Sequence, residues 1–166
     1  MTRLTATARA IAAMTAAVAF ALAASCSSTP SADSTTGGAH TIEQDTDMTI
    51  IDIDIDGTTF TAHLEDNATA RAFLDLLPTT LTMDELNGNE KYHYLDSPLT
   101  SEPQRVGTIH AGDIMLYGSD CIVLFYQTFR TPYSYTRIGS IADPGRLSNA
   151  LGAGTASVTF SPEQAA

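Results

Sequence analysis

The chain has few basic residues and almost no cysteine. Its 166 residues include 8 Lys and Arg against 19 Asp and Glu, which gives a formal charge of −11. Such a chain repels the phosphate backbone of nucleic acids, whose binding depends on Lys and Arg. Two cysteines are too few for a disulfide scaffold. We therefore expect no nucleic-acid partner and no disulfide-stabilised fold.

The usual motifs for metals, nucleotides and cofactors are also missing. The histidines have no metal-ligand spacing, and no Cys-x-x-Cys, Gly-x-Gly-x-x-Gly or Walker pattern occurs. Asp52, Asp54 and Asp56 match the first half of an EF-hand loop, but its twelfth position is His63. The intervening isoleucines have strand spacing, and a strand holds such carboxylates about 6.6–7 Å apart. We expect no metal and no cofactor.

The first 25 residues have the layout of an export signal. Arg3 and Arg9 precede an apolar run of about 14 residues, shorter than the roughly 20 that span a bilayer. Residues 22–26, Leu-Ala-Ala-Ser-Cys, resemble the lipobox of bacterial lipoproteins, in which the cysteine takes a diacylglyceryl group. We predict a lipoprotein signal peptide at residues 1–25 and lipid on Cys26. The alternative is an ordinary cleaved signal beside a chance cysteine.

A polar segment separates this cysteine from the rest of the chain. Residues 27–47 have almost no large apolar side chains, which predicts a disordered tether. A coil of that length has a root-mean-square span of about 25 Å. Residues 26–47 would then hold the rest of the chain, from residue 48 onward, away from a bacterial cell membrane, on its extracytoplasmic face.

Periodicity predicts that residues 48–162 form one β-rich domain. Ile51, Ile53 and Ile55 alternate with aspartates up to the turn dipeptide Asp56-Gly57, which indicates the first strand of a hairpin. The predicted strands are 51–55, 60–64, 81–86, 91–95, 108–117, 121–127, 136–141 and 156–160. A helix capped by Asp66 or Asn67 and stopped by Pro78, a loop at 96–106 and a short helix at 147–151 are also predicted. Many short strands with few helices favour a barrel or sandwich.

Two features of the second half of the body bear on a site. Residues 121–126 are apolar without alternation, which predicts burial on both sides and an inert thiol at Cys121. All 6 tyrosines lie between residues 91 and 137. Aromatic rings with polar tips favour half-wet pockets. The alternative is that the tyrosines cap the ends of a small core.

Five sequence blocks resemble a known family. They are residues 59–70, 86–92, 107–118, 124–126 and 133–139, and they are similar to the bacterial cyclophilin-like domain family. The resemblance covers about residues 48–160. It implies a closed eight-stranded β-barrel capped by two helices.

The resemblance also bears on catalysis. True cyclophilins isomerise the bond before proline with an arginine beside an apolar pocket, and Tyr94 stands in the position of that arginine. The pocket phenylalanine falls near Phe125, and its Met-Ala pair falls near Met115 and Leu116. The resemblance thus implies an apolar pocket that has lost its cation.

We therefore expect a membrane-anchored binding domain for a small molecule or an extended peptide, without catalysis. The expected ligand-binding residues are Tyr94, His110, Met115, Phe125, Tyr133, Tyr135 and Arg137. The alternative is a peptidyl-prolyl isomerase or folding helper at the cell surface, in which the guanidinium of Arg105 or Arg137 reaches into the pocket from elsewhere. The family resemblance alone also suggests a redox-associated role, since similar domains accompany flavodoxins.

Overall fold

The structure is a computed structural model, and it describes residues 48–163. The predicted signal peptide at 1–25, the lipid on Cys26 and the tether up to residue 47 lie outside the described residues. None of the helices among residues 48–163 is both long and apolar enough to cross a membrane.

The described part of the chain contains eleven strands and two helices. The first half holds β1 (Ile50–Ile55), β2 (Thr58–Leu64), α1 (Ala68–Leu74), β3 (Thr79–Leu86), β4 (Glu90–Tyr94) and β5 (Gln104–Arg105). The second half holds β6 (Thr108–Ile109), β7 (Asp113–Tyr117), β8 (Cys121–Phe125), β9 (Phe129–Arg130), β10 (Ser134–Ile141), α2 (Leu147–Leu151) and β11 (Ala156–Pro162).

Eight of these strands close into an antiparallel barrel. The order around the barrel is β2, β1, β11, β3, β4, β8, β7 and β10, and β10 pairs with β2 to complete the circle. Strand β5 pairs with the start of β10, and β6 and β9 form a separate two-stranded ribbon. The predicted fold, a closed eight-stranded barrel with two helices, is confirmed.

The barrel closes where β10 pairs with β2, and a glycine lies at this junction. Gly139 of β10 lies opposite Leu64 of β2. A Cβ atom at Gly139 would meet the His63 carbonyl oxygen and lie 3.1 Å from the Leu64 Cα. Only a residue without a side chain lets the two backbones approach this closely. The register between β10 and β7 also shifts between Arg137 and Gly139, as at a β-bulge.

The main core fills the barrel and continues under α1. Asn67 caps this helix by accepting a hydrogen bond from the Ala70 amide at 2.8 Å. Phe73 of α1 is fully buried and meets the Phe160 ring edge-on, with centroids 5.3 Å apart. One face of the helix therefore packs against the main core.

A second apolar layer lies on the outer face of β7, β8 and β10. Because successive side chains of a strand point to opposite faces, Ile122 and Leu124 of β8 enter the main core, whereas Cys121, Val123 and Phe125 face outward. The full outer layer consists of Ile109, Met115, Cys121, Val123, Phe125 and Tyr135, packed under Tyr92, Val106 and Phe129. The predicted burial of β8 on both sides is confirmed.

Two predicted elements differ from the structure, and one strand was not predicted. The strand expected at 108–117 is broken into β6 and β7, because a turn intervenes in which Gly112 takes a φ of 94°. The loop expected at 96–106 contains β5, and β9 was not predicted at all. Both are two-residue strands, too short to show any periodicity.

Candidate functional site

A groove lined by tyrosines lies above the outer apolar layer. Its volume is about 430 Å³, and we call it the tyrosine groove. Its lining includes Tyr92, Tyr94, Tyr117, Tyr133 and Tyr135, together with Glu90, Cys121, Phe129 and Arg130. Five of the six tyrosines of the chain thus meet at one place.

Strand geometry brings these side chains together. Glu90, Tyr92 and Tyr94 are two residues apart on β4, and residues at that spacing share one face of a strand. Tyr94 lies opposite Cys121 in the ladder between β4 and β8, and Tyr117 of β7 lies opposite Cys121 on its other side. Alternation along β4 therefore places its three side chains on one wall of the groove. The pairing of β8 with β4 and β7 places Cys121 in the floor.

The rings of the groove contact each other in pairs. Tyr92 and Tyr94 lie 5.8 Å apart at 80°, and Tyr117 and Tyr133 lie 6.2 Å apart at 81°. Tyr117 also meets Tyr135 at 5.5 Å. The two edge-to-face pairs, Tyr92–Tyr94 and Tyr117–Tyr133, contribute about 0.5–1.5 kcal/mol each beyond their buried area. The groove is thus held in shape by contacts among its own lining residues.

The mouth of the groove is aromatic and open to solvent. Tyr94 is 59% exposed, Tyr117 45% and Tyr133 58%. Tyr135 is buried at the floor, where its ring contacts Phe125 at 5.5 Å. Exposed aromatic clusters with a packed base mark interaction sites more often than ordinary surface.

The acidic group of the groove is Glu90, which is half-buried. Burial raises the pKa of its carboxyl group, and the neighbouring Glu85 raises it further. Burial also raises the pKa of Tyr135, with a contribution from Glu90. Burial and the nearby Asp120 raise the pKa of the Cys121 thiol to about 11, so this thiol is protonated at neutral pH.

A second pocket adjoins the groove and shares Tyr135 with it. This arginine pocket has a volume of about 370 Å³ and is lined by Arg105 and Arg137 among mostly polar residues. Arg137 Nη1 lies 3.6 Å from Asp113 Oδ1. Asn67 donates a hydrogen bond to the Arg137 carbonyl oxygen at 2.9 Å, which links the cap of α1 to β10. The guanidinium of Arg137 thus already has a carboxylate neighbour.

Four of the seven predicted ligand-binding residues line these two cavities. Tyr94, Tyr133 and Tyr135 line the tyrosine groove. Arg137 lines the arginine pocket, as does Tyr135. The structure therefore brings the three tyrosines together and places Arg137 beside them, not among them.

The other three predicted residues line neither cavity. Met115 and Phe125 are fully buried in the outer apolar layer, below the groove floor. His110 is largely exposed, and its Nδ1 lies 3.8 Å from Asp113 Oδ2. These residues can support the groove through packing, but they do not face a ligand in it.

Sequence reasoning missed several residues of the groove. Glu90 and Tyr92 share a strand face with the predicted Tyr94, so the two-residue spacing was the signal that could have found them. Arg130 comes from β9, which follows a turn of no recognisable pattern. Its position over the groove depends on tertiary packing and has no signal in the sequence.

A family model and two solved structures are similar to this chain. A sequence model described as the cyclophilin-like family matches residues 53–161. One similar solved structure is that of the hypothetical protein AF2241 from Archaeoglobus fulgidus, with 19% identity and a TM-score of 0.47 over 70% of this chain and 95% of that chain. Another is McbB in complex with tryptophan, with 16% identity and a TM-score of 0.48 over 70% of this chain and 45% of that chain. No curated protein matches the sequence.

Proposed function

Since the chain belongs to the cyclophilin-like family, we propose that it is a membrane-anchored, extracytoplasmic binding domain. The tyrosine groove on the outer face of the barrel holds a small molecule or an extended peptide segment. Binding there involves no covalent chemistry.

The observation that carries this proposal is the convergence of five tyrosines on one groove. They come from β4, β7, β10 and the segment before β10, which are far apart in sequence. A volume of about 430 Å³ is within the usual range for small-ligand sites, about 300–1,000 Å³. Tyrosine provides a large apolar contact and a hydroxyl at low entropic cost.

The groove suits binding better than nucleophilic catalysis. Its thiol, Cys121, has a pKa raised to about 11 and is buried. A nucleophilic cysteine needs the opposite environment, in which nearby cations lower the thiol pKa. The phenol of Tyr135 also has a raised pKa and remains protonated at neutral pH. The groove therefore presents hydroxyl groups and ring surfaces.

A thermal-shift screen of the full-length protein tests this function. We expect some members of a library of small molecules and short peptides to raise Tm. With such a ligand, Tyr133→Leu should abolish the shift, and Tyr133→Phe should reduce it by less because the ring remains. Tyr126→Phe is the matched control, since Tyr126 lies outside the groove and donates to Glu85 at 2.7 Å.

Two outcomes would contradict the proposal. One is a screen without any ligand that raises Tm. The other is a ligand whose shift is the same in Tyr133→Leu as in the unmodified protein, because the ligand would then bind elsewhere.

Prolyl isomerase activity is the second candidate function. The observation that favours it is Arg130, an exposed guanidinium that lines the groove. A cation near a twisting amide is the group that isomerisation needs. If this candidate is right, the protein accelerates cis–trans isomerisation of a short proline peptide, and Arg130→Ala removes the acceleration. Arg137→Ala tests the neighbouring pocket, and Arg71→Ala is the surface control.

The proposed location depends on lipid at Cys26. The Leu-Ala-Ala-Ser-Cys sequence and the polar residues after it support this anchor. In bacterial cells, the protein should sediment with membranes and enter the detergent phase of Triton X-114. Cys26→Ser should release it into the aqueous phase, and unchanged partitioning of that variant would contradict the anchor.

A further inference from the structure

Glu90 is an unpaired carboxylate inside the tyrosine groove. It is half-buried, and among residues 48–163 its side chain has no hydrogen bond and no ion pair. A charge that loses water without gaining a partner raises the free energy of the folded state. A ligand that brings a positive charge to Glu90 would supply the missing partner.

The tyrosines around Glu90 also favour a cation. A cation within about 6 Å of a tyrosine ring face gains about 0.5–2 kcal/mol, and more as water is excluded. Tyr92 and Tyr94 are set at 80° to each other, and Tyr117 and Tyr133 at 81°. Perpendicular pairs turn ring faces in more than one direction, so a cation between them can meet several rings.

The charge of the whole protein acts in the same direction. The formal charge of the chain is −11, and a strongly acidic protein raises the local concentration of cations. Burial and then the nearby Asp120 raise the pKa of Cys121, so negative charge also acts within the groove itself.

We propose that the tyrosine groove binds an organic cation, an alkylammonium group held between the tyrosine rings with Glu90 as its counter-ion. This inference rests on the proposed function, since it assigns a ligand class to the same groove. The ammonium group can belong to a free small molecule or to a modified lysine side chain of a peptide.

Arg130 is the basic residue among the groove lining and would repel such a ligand. Its side chain is exposed, whereas Glu90 is half-buried. Solvent and salt screen an exposed charge more strongly than a buried one. The attraction of Glu90 therefore outweighs the repulsion of Arg130, and the two residues provide variants with opposite expected effects.

The test compares choline with 3,3-dimethylbutan-1-ol, which has the same shape and no charge. Isothermal titration of the full-length protein at low salt should give a Kd for choline at least about tenfold lower than for the alcohol. In Glu90→Gln this ratio should fall to about threefold or less, because only the ring contacts remain. In Arg130→Gln choline should bind as tightly as in the unmodified protein, or more tightly.

A second pair of probes separates the two sources of the cation. A short peptide with trimethyllysine is compared with the same peptide that carries norleucine at that position. Preference for either cationic probe over its neutral partner, lost in Glu90→Gln, supports the inference and identifies the source. Circular dichroism and Tm of Glu90→Gln verify that the variant is folded.

The inference and the proposed function fail in different ways. If neither cationic probe binds more tightly than its neutral partner, or if Glu90→Gln leaves the preference unchanged, the cation inference is wrong. In that case, an uncharged ligand whose binding depends on Tyr133 would still show that the groove is a binding site. If no ligand of any charge binds, both are wrong.

Discussion

The Nζ atom of Lys91 lies 2.6 Å from Glu85 Oε2, and the lysine side chain is completely buried inside the barrel. Lys91 also donates to the carbonyl oxygen of Gly152 at 3.0 Å and to that of Gly154. These contacts tie the hairpin of β3 and β4 to the chain that leaves α2. A cation thus occupies an end of the apolar core, where it satisfies carbonyl groups that follow a helix.

Removal of one partner of this ion pair should destabilise the fold strongly. Glu85→Gln leaves Lys91 buried without its counter-charge, and we expect a loss of about 3 kcal/mol in the free energy of unfolding. Adding Lys91→Met should recover part of that loss, because no buried charge then remains. Urea denaturation of the two single variants and the double variant measures this coupling. Strictly additive losses would contradict a direct interaction between the two side chains.

The glycine at the barrel closure should not tolerate a side chain. The added methyl group of Gly139→Ala would meet the His63 carbonyl oxygen and the Leu64 backbone. Backbone atoms cannot move aside as side-chain ends can, so we expect a loss of about 2 kcal/mol or more. Gly145→Ala is the control, because its nearest neighbour is an Asp143 side-chain oxygen at 3.2 Å, and its cost should be below about 0.5 kcal/mol. Equal costs for the two variants would contradict the tight closure.

The thiol of Cys121 should react slowly while the protein is folded. Burial and Asp120 raise its pKa from 9.0 to about 11, which lowers the thiolate fraction at pH 8 about a hundredfold. Labelling with a chromogenic disulfide reagent measures this rate. In a Cys26→Ser background Cys121 is the only cysteine of the chain. We expect labelling at least about a hundredfold slower than in guanidinium chloride, and equal rates would show that the thiol is accessible.

Much of the barrel was predictable because most strands follow simple patterning. The alternation of β1 and the turn at Asp56-Gly57 have the expected structure, and the predicted helix begins at the Asn67 cap but ends at Leu74, before Pro78. Strand β4 does not follow the simple rule. Its lysine faces the interior while Tyr92 and Tyr94 face outward. The outer face has an apolar layer of its own, so the more hydrophobic side of β4 belongs outside.

The same outer layer explains the partial success at the site. Tyr94, Tyr133 and Tyr135 were found because tyrosine composition marks half-wet surfaces. Met115 and Phe125 have the right chemistry but lie one level deeper. Depth depends on which segments cover a strand, and the cover here comes partly from β9, which is too short to show a pattern. The tyrosine composition therefore predicted the region of the site, whereas the packing of neighbouring segments determines which of its residues line the groove.

Glu90 should make the stability of the fold depend on pH in a direction opposite to that of a salt-bridged carboxylate. Because burial raises its pKa in the folded state above the usual 4.5, the folded protein binds this proton more tightly than the unfolded chain does. The contribution of Glu90 to stability is therefore complete below pH 4.5 and is lost as pH rises through its folded pKa. Glu90→Gln removes this dependence. Relative to the unmodified protein, the variant should gain stability between pH 4.5 and 7.

Glu85 provides the internal comparison for this prediction. Burial raises its pKa, but hydrogen bonds from Lys91 and Tyr126 outweigh that effect, so the folded pKa is lowered overall. Its stabilisation is therefore present above the unfolded pKa and is lost as pH falls through the folded value. Urea denaturation from pH 3 to 8 should show Glu90→Gln gaining on the unmodified protein as pH rises, and Glu85→Gln losing over the acidic part of the range. Parallel curves for Glu90→Gln and the unmodified protein would mean that Glu90 is paired or fully solvated in the folded state, and the unpaired, half-buried carboxylate proposed as a counter-ion would then be absent.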